Sequence, residues 1–321
     1  MSSGRESAMT KRPAAHTAGR RLATRPPRSG GALALVPVLL IAVGCSTVQT
    51  GTPQGSASVD ASASPPLTEE FPRGSFDDPT AIDNRWLPLT PGTQWVWDGE
   101  TVVDGEAVPH RIVLTITDMT KVIDGVKSVV AYDEDYSDGE LVEAEIFFLA
   151  QDNDGNVWRM GEYPEEYEAG EFVDAPTWLA GTQDALAGIW MTADPRLGDR
   201  SYAQGWGPEV GWADRGQVVQ VGVENCVEVG CYEDVLVIEE WALDDPTARQ
   251  LKFYAAGVGN IRVGWSGSAE QEQEMLELVE FGQLSADALA DVRAAALALE
   301  DHAYEVRPEV FGDTEPMQIG S

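Results

Sequence analysis

Five Asp-Gly pairs lie between apolar stretches of the sequence from residue 98 to residue 155. The pairs are Asp98-Gly99, Asp104-Gly105, Asp124-Gly125, Asp138-Gly139 and Asp154-Gly155. Asp-Gly favours a two-residue hairpin turn of type I′, because both central residues of that turn need a positive φ. Their recurrence predicts an up-and-down antiparallel meander, in which each strand pairs with the next one along the chain.

The stretches between and after these turns have the two-residue period of β-strands. From Gln94 to Phe281, apolar and polar side chains alternate or form short β-branched runs such as residues 112–117. A helical pattern follows, in which Ser285 is placed to cap the helix. Its apolar residues are spaced at i, i+3, i+7 and i+10; they are Leu289, Val292, Ala296 and Leu299. The predicted fold is mainly β, of the α+β class: a curved antiparallel sheet, a half-barrel or meander, with a C-terminal helix.

Charge divides the chain into two unequal parts. The 321 residues include 54 Asp and Glu against 21 Lys and Arg, a formal net charge of −33. Residues 1–44 hold seven of the bases and one acid, so the remainder carries 53 acids and 14 bases, a net charge of −39. That balance excludes nucleic acid as a partner, because no basic surface is left to neutralise phosphates.

The basic first part has the features of an export signal. Four arginines between residues 20 and 28 precede an apolar run from Gly31 to Gly44, which is too short for the ~20 residues of a membrane span. Ala42-Val43-Gly44-Cys45 resembles the lipobox of bacterial lipoproteins. We therefore expect residues 1–44 to be a lipoprotein signal peptide and Cys45 to carry acyl chains such as palmitate. An ordinary secreted protein and an uncleaved anchor are the alternatives.

The rest of the chain divides by composition. Residues 45–70 are rich in Ser, Thr, Ala, Gly and Pro, which is typical of a flexible tether. One β-rich domain with its C-terminal helix is expected over residues 71–306, followed by a loose tail over residues 307–321. The predicted location is the extracytoplasmic face of the cell membrane, with the lipid as the membrane contact.

An acidic turn is the most chemical-looking motif. Asp152, Asp154 and Asn156 alternate as oxygen donors, which is the spacing that opens a calcium loop. The full helix–loop–helix pattern fails, but Glu162 is a candidate fourth ligand for a looser calcium site. The neighbouring hairpin offers further candidates, namely Asp133, Glu134 and Asp135. The alternative is a hairpin turn in which Asp and Asn bond their own backbone.

Two cysteines remain after Cys45, and they are close in sequence. Cys226 and Cys231 are separated by four residues and lie between two strand-like runs. Outside the cytoplasm such a pair most often forms a disulfide. A metal pair would need further Cys or His nearby, and a redox pair would have two intervening residues.

Catalytic motifs are not found in the sequence. His110 and His302 are the two histidines after residue 44, and neither belongs to a recognisable catalytic triad. HExxH, Walker and dinucleotide-binding patterns are absent. The 53 acids would allow a pair of catalytic carboxylates, as in glycoside hydrolysis, but no spacing singles one out.

Four sequence blocks carry a family resemblance. They are NRWLPLTPGTQW at 84–95, AQDNDGNVW at 150–158 with Gly161-Glu162, GIWM at 188–191 with DPRLGD at 194–199, and YAAGVG at 254–259. In order and spacing they resemble a family of mostly actinobacterial envelope and secreted proteins without an established activity. Departures from the pattern occur at Arg159, Cys231 and Ala256. The resemblance implies a β-rich fold and an envelope location.

The favoured function is a non-catalytic surface lipoprotein that binds an apolar or envelope-derived ligand, namely a lipid, a glycan or a partner protein. Aromatic residues support it, since Trp86, Trp95 and Trp97 form either a binding patch or part of the core. An extracytoplasmic hydrolase that uses carboxylates, in one version stabilised by calcium, is the alternative. A structural or sensory role in the envelope is the third hypothesis.

Overall fold

The computed structural model describes residues 67–103, 105–267 and 272–320, and within them sixteen strands form one antiparallel sheet. The strands are β1 Thr93–Val103, β2 Glu106–Ile123, β3 Val126–Ser137, β4 Glu140–Gln151, β5 Val157–Glu168, β6 Glu171–Asp174, β7 Trp178–Leu179, β8 Leu186–Met191, β9 Tyr202–Ala203, β10 Gly205–Trp206, β11 Asp214–Val227, β12 Gly230–Ala242, β13 Arg249–Ala255, β14 Gly259–Ser266, β15 Glu272–Gln283 and β16 Gln318–Ile319. Two helices, α1 Ala286–Val306 and α2 Pro308–Phe311, follow β15.

The strand order is that of two meanders joined side by side. The order is β10-β8-β5-β4-β3-β2-β1-β15-β14-β13-β12-β11-β9, so β1 to β5 pair in sequence and β11 to β15 do the same. The meanders join where β1 pairs with β15, and β8 and β9 approach each other at the opposite side. The sheet is therefore nearly closed and barrel-like, and the predicted mainly β fold with a curved antiparallel sheet is confirmed.

Turn chemistry explains the first meander. Asp124 and Gly125, between β2 and β3, have φ values of 49° and 80°, as a type I′ turn requires. Asp138 and Gly139, between β3 and β4, repeat this with 53° and 76°. These two hairpins are confirmed at the residues where the sequence predicts them.

The Asp98-Gly99 pair is not a turn, and this prediction is wrong. Both residues lie inside β1, where Gly99 pairs with His110 of β2 and Leu276 of β15. A Cβ at Gly99 would stand 1.9 Å from the carbonyl oxygen of Met275. The glycine therefore allows a close approach of two backbones where the two meanders join, which is the other common reason for glycine in a strand.

Two apolar cores lie on opposite faces of the sheet. The inner core collects residues from both meanders, such as Trp97, Phe147, Ile238 and Leu276. The outer core lies between β2–β5 and the C-terminal helices, where alternate residues of the same strands contact α1 and α2. Because side chains alternate across a strand, one strand supplies both cores.

Helix α1 begins where the sequence predicts it. The side chain of Ser285 accepts a hydrogen bond from the backbone N–H of Ala288 at 3.2 Å, which satisfies one of the free donors of the first turn. Ala296 and Leu299 are buried against the outer core, as their spacing predicts.

The tail after α1 is ordered against the sheet, contrary to the expected loose segment over residues 307–321. Phe311 of α2 is fully buried between aromatic rings of the outer core. Strand β16 pairs with β2 through Gln318 and Thr120. The tail is short, but its buried aromatic and aliphatic residues remove enough apolar surface from water to hold it against the sheet.

The export signal, Cys45 and almost all of the tether lie outside the described residues. The described part begins at Leu67, and Phe71 already packs edge-on against Trp158 at 5.1 Å between ring centroids. Among the described residues, no helix is both long and apolar enough to cross a membrane.

Candidate functional site

The inner face of the sheet changes from apolar to charged along its strands. On β3, the interior side chains run from Val129 and Ala131 to Asp133 and Asp135, all of them buried. The antiparallel strand β4 repeats the change in reverse, and β13 and β15 also carry charged residues at this end. The buried charged residues on these four strands are Asp133, Asp135, Glu143, Glu145, Lys252 and Glu274. The interior thus holds an apolar half and a charged half.

A cavity lies where the two halves meet. The space open to the centres of water molecules is about 80 Å³. Its apolar wall is formed by Leu87, Leu89, Trp95, Trp97, Ile112 and Val263, with Phe147, Trp190 and Tyr254 nearby in the lining. Its charged wall, called the cavity cluster below, is formed by Asp133, Glu145, Arg159, Glu240 and Lys252.

The segment before β1 supplies part of the apolar wall, and Asn84 holds it in place. Its Oδ1 accepts hydrogen bonds from the backbone N–H groups of Trp86 and Leu87, at 2.9 and 3.1 Å. Its Nδ2 donates to the carbonyls of Gly155 and Thr192, at 2.9 and 3.2 Å. The blocks that carry the family resemblance therefore contact one another at this end of the sheet.

The tryptophans of the apolar wall are fixed by their indole N–H groups. Trp95 Nε1 donates to the carbonyl of Val258 at 2.7 Å, and Trp97 Nε1 donates to that of Asn260 at 3.0 Å. Both side chains are almost completely buried. The two residues belong to the core, as one interpretation of the sequence predicts, and they also line the cavity, whereas ligand binding by them stays a hypothesis.

Arg159 is the cation at the centre of the charged wall. Its guanidinium lies 3.3 Å from Glu162 and 3.8 Å from Glu145. It also stands 5.1 to 5.4 Å from the ring centroids of Phe147, Trp190 and Trp212. These contacts compensate a buried charge through ion pairs and aromatic faces, but Nε has no hydrogen-bond partner among the described residues.

Asp133 faces Glu145 across the β3–β4 pair. The two residues are direct partners in the register, which places their side chains side by side on the inner face. Burial raises the pKa of Asp133 well above its usual value, and the charges of Glu145 and Asp135 raise it further. These effects favour the protonated form of Asp133, and its Oδ1 has no hydrogen-bond partner among the described residues.

Lys252 is the second cation of the cavity cluster. It is 7% exposed and lies on β13 opposite Ile238 and Val263. Within the part of the chain that the structure describes, its ammonium group makes neither a hydrogen bond nor an ion pair. The nearby Glu240 accepts a hydrogen bond from Gln204 Nε2 at 2.7 Å.

His110 forms a second polar group at the charged end. Its Nε2 lies 2.7 Å from Asp135 Oδ1, and its Nδ1 lies 2.7 Å from Thr101 Oγ1 and 3.2 Å from Glu274 Oε1. Burial lowers the pKa of His110, but the hydrogen bond and charge of Asp135 and the charge of Glu274 outweigh it and raise the pKa to about 9. His110 is therefore an imidazolium at neutral pH.

In the acidic turn at residues 152–156, the carboxylate of Asp152 is bonded within the turn and to Trp158, and not to the cavity cluster. Asp152 accepts hydrogen bonds from the backbone N–H groups of Asp154 and Asn156, from Asn156 Nδ2 and from Trp158 Nε1, at 2.8 to 3.0 Å. Glu162 pairs with Arg159 instead. No group of three His, Cys, Asp or Glu side chains arranged for a metal occurs in the described ranges. Calcium binding at Asp152, Asp154, Asn156 and Glu162 stays a hypothesis, which calcium titration followed by tryptophan fluorescence would test.

The predicted disulfide is present. Cys226 and Cys231 are bonded at the end of the β11–β12 hairpin, where they are directly paired in the register. The bond ties a hairpin end and does not belong to the cavity lining.

Arg159 and Lys252 are not among the site residues that the sequence predicts, and Asp133 is predicted only as a further candidate ligand of the calcium site. A signal for Asp133 was present, because it continues the inner-face alternation of Val129 and Ala131. Arg159 stood out as a departure from the family pattern. Lys252 gave a weaker signal as one of three lysines after residue 44.

Among known proteins, only weak structural similarities to this chain are found, and no match by sequence. No protein-family model matches the sequence, and the search of curated proteins gives no match. A Bacteroides fragilis protein with a YmcC-like fold, provisionally described as exported, aligns with 62% of this chain and 100% of its own at 12% identity and a TM-score of 0.38. A Parabacteroides distasonis protein, provisionally described as a lipoprotein, aligns with 62% of this chain and 99% of its own at 13% identity and a TM-score of 0.33. Similarities of this size establish neither a family nor a function, and the actinobacterial resemblance stays a prediction.

Proposed function

We propose that this chain is a lipid-anchored envelope protein that binds a small molecule inside its sheet without transforming it. One observation carries the proposal: the cavity joins an apolar wall to two buried polar atoms, Asp133 Oδ1 and Arg159 Nε, that have no hydrogen-bond partner among the described residues. A cavity with apolar lining and a few convergent polar groups is the usual form of a ligand site. Buried polar groups without partners are rare, and a ligand would supply the missing partner.

The size of the cavity limits the ligand. A cavity needs about 10–15 Å³ of space open to the centres of water molecules to hold one water, and a water in the liquid occupies about 30 Å³, so a volume of about 80 Å³ has room for only a few water molecules. A whole lipid or an oligosaccharide is much larger than that. The cavity therefore favours a small molecule, or the end group of a lipid or glycan, over the whole lipid, glycan or partner protein expected from the sequence.

The carboxylate-based hydrolase remains the second candidate, and one pair of residues favours it. Burial raises the pKa of Asp133 while Glu145 stands directly opposite, and paired carboxyl groups serve as acid and base in such enzymes. The volume opposes it, because a glycan would need an open cleft on both sides of the scissile bond.

The binding function is tested by the content of the natively purified protein. The full chain would be extracted from membranes in detergent, and its bound small molecules would be identified by mass spectrometry under native and denaturing conditions. We expect a small organic molecule at near-equal stoichiometry that is released on unfolding. A protein that releases nothing contradicts the binding function.

The anchor is tested separately through Cys45. A Cys45→Ser variant lacks the thiol that would be acylated, so we expect the protein to move from the membrane fraction to the soluble extracytoplasmic fraction. Retention of this variant in the membrane fraction would contradict lipid anchoring at Cys45.

A further inference from the structure

We propose that the cavity binds a small monocarboxylate, with the ligand carboxylate paired to Lys252 and its apolar body against Trp95 and Trp97. This inference rests on the proposed binding function and names the ligand class of the same site.

The charge of Lys252 is the first reason. The side chain of Lys252 is almost completely buried, but its ammonium group is not among the fully enclosed polar atoms without a partner, so it faces the open space of the cavity. A charge in such a place is costly unless a paired charge and hydrogen bonds compensate it. The other cation of the cavity, Arg159, already has Glu145 and Glu162 within 4 Å. Lys252 lines the same cavity and has no such partner in the described part of the chain. The geometry therefore points to an anion supplied by the ligand.

The protonation of Asp133 is the second reason. A neutral carboxylic acid can donate one hydrogen bond, whereas an ionised one accepts only. Burial and the charge of Glu145 raise the pKa of Asp133, which favours the form that carries this proton. A ligand carboxylate beside it would accept from Asp133 and from Lys252 together, and such charge-assisted bonds are the stronger ones.

The remaining charges favour a monoanion over phosphate. Glu145 and Glu240 also line the cavity, and a doubly charged ligand would experience roughly twice the repulsion of a singly charged one from each of them. An amine beside Lys252 would be repelled by an ammonium group that has no carboxylate partner in the described part of the chain.

The apolar wall fixes the other end of the ligand. The indole N–H groups of Trp95 and Trp97 are already engaged with backbone carbonyls, so these side chains offer apolar ring surface. Leu87, Leu89 and Ile112 continue that surface. With room for only a few water molecules, the cavity suits a short-chain carboxylate. Butyrate is such a carboxylate and serves as the probe.

The experiment compares three probes of the same length, namely butyrate, butyramide and butylammonium, by titration calorimetry with the full chain in a neutral detergent. Lys252→Met removes the charge and keeps most of the apolar stem. Lys127→Met is the matched control, because Lys127 lies exposed on β3 and away from the cavity lining. We expect butyrate to bind best, Lys252→Met to weaken its binding at least tenfold, and Lys127→Met to leave it unchanged.

The other outcomes separate the two proposals. Equal binding of butyrate and butyramide, or butyrate binding that Lys252→Met does not change, overturns the carboxylate inference. Preferred binding of butylammonium overturns it as well but leaves small-molecule binding in place. If no probe binds, the carboxylate inference fails, and the content of the natively purified protein then decides whether the binding function stands. Far-UV circular dichroism of Lys252→Met confirms that the variant is folded.

Discussion

Lys121 and Lys252 are both buried in the same sheet, but their surroundings are opposite. Lys121 lies on the outer face of β2, with a side chain that is 0% exposed. Its ammonium donates to Glu300 Oε1 at 2.7 Å, to Tyr304 Oη at 3.1 Å and to the carbonyl of Glu315 at 2.6 Å. All three of its donors are used. Glu300 in turn accepts from the backbone N–H of Met317 at 2.9 Å.

The difference teaches what each lysine contributes. The Lys121 group, with Glu300, Tyr304 and the backbone at residues 315–317, joins β2 to α1 and to the tail, so its charge serves the fold. Lys252 joins nothing that the structure describes, although it too is almost fully buried. A charge kept inside without a structural partner is better explained by a binding role.

The largest effect is expected from Lys121→Met. Removing one member of a buried, hydrogen-bonded ion pair leaves the carboxylate of Glu300 without its partner, which typically costs about 3–5 kcal/mol. We expect the free energy of unfolding, measured by urea denaturation, to fall by that amount. In Lys121→Met/Glu300→Gln the uncompensated charge is gone, so part of the loss should be recovered. A decrease below about 1 kcal/mol would show that the group is not a structural clamp.

His110 is another buried cation, and the contribution of its charge to stability can be measured by changing the pH. Its folded-state pKa of about 9 lies above the ordinary value of 6.5, so its contribution to stability is complete below about pH 6.5 and is lost as pH rises through 9. The shift corresponds to about 3 kcal/mol. We expect the stability difference between the wild type and His110→Gln to shrink by roughly that amount between pH 6 and pH 10. A difference that stays constant over this range would contradict a buried imidazolium.

The fold was largely predictable because its signals are local. Asp-Gly turns need positive φ at two adjacent residues, and alternation fixes which face each side chain occupies. The turn predicted at Asp98-Gly99 is wrong for a non-local reason. The glycine is needed because the backbone of Met275, about 180 residues away in the sequence, lies too close for a side chain. The tail was misjudged for the same reason, because its partner is Lys121 on a distant strand.

The site was hardly predictable, because its residues lie on strands that are far apart in the sequence and come together only through strand pairing. Asp133 and Lys252 are separated by more than a hundred residues, and only the joining of β1 to β15 brings both meanders around one interior. The spacing of oxygen donors in the sequence instead favours Asp152, whose oxygens accept hydrogen bonds from its own turn and from Trp158.

A smaller effect is expected at the start of α1, which carries Glu300. Ser285→Ala removes the cap on the Ala288 N–H and should lower the free energy of unfolding by about 1 kcal/mol. Because α1 packs on the outer face, we expect binding of the cavity ligand to be unchanged. Ser285→Asp, which keeps a capping oxygen, is the control and should retain most of the stability. Loss of ligand binding in Ser285→Ala would mean that the two faces of the sheet are coupled.

The smallest change in stability is expected from Lys252→Met, the same substitution that should be the most damaging at Lys121. Its ammonium has no partner in the described part of the chain, so its removal leaves no broken pair, and a hydrophobic group of similar shape in a buried charged site is often neutral or stabilising. We expect the free energy of unfolding of the ligand-free protein to change by less than about 1 kcal/mol in urea denaturation. The two lysines would then differ by several kcal/mol under one substitution, with Lys127→Met as the exposed reference. If Lys252→Met instead destabilises as much as Lys121→Met, the ammonium is compensating the carboxylates of its own cavity, and the anion assigned to the ligand is already supplied by the protein.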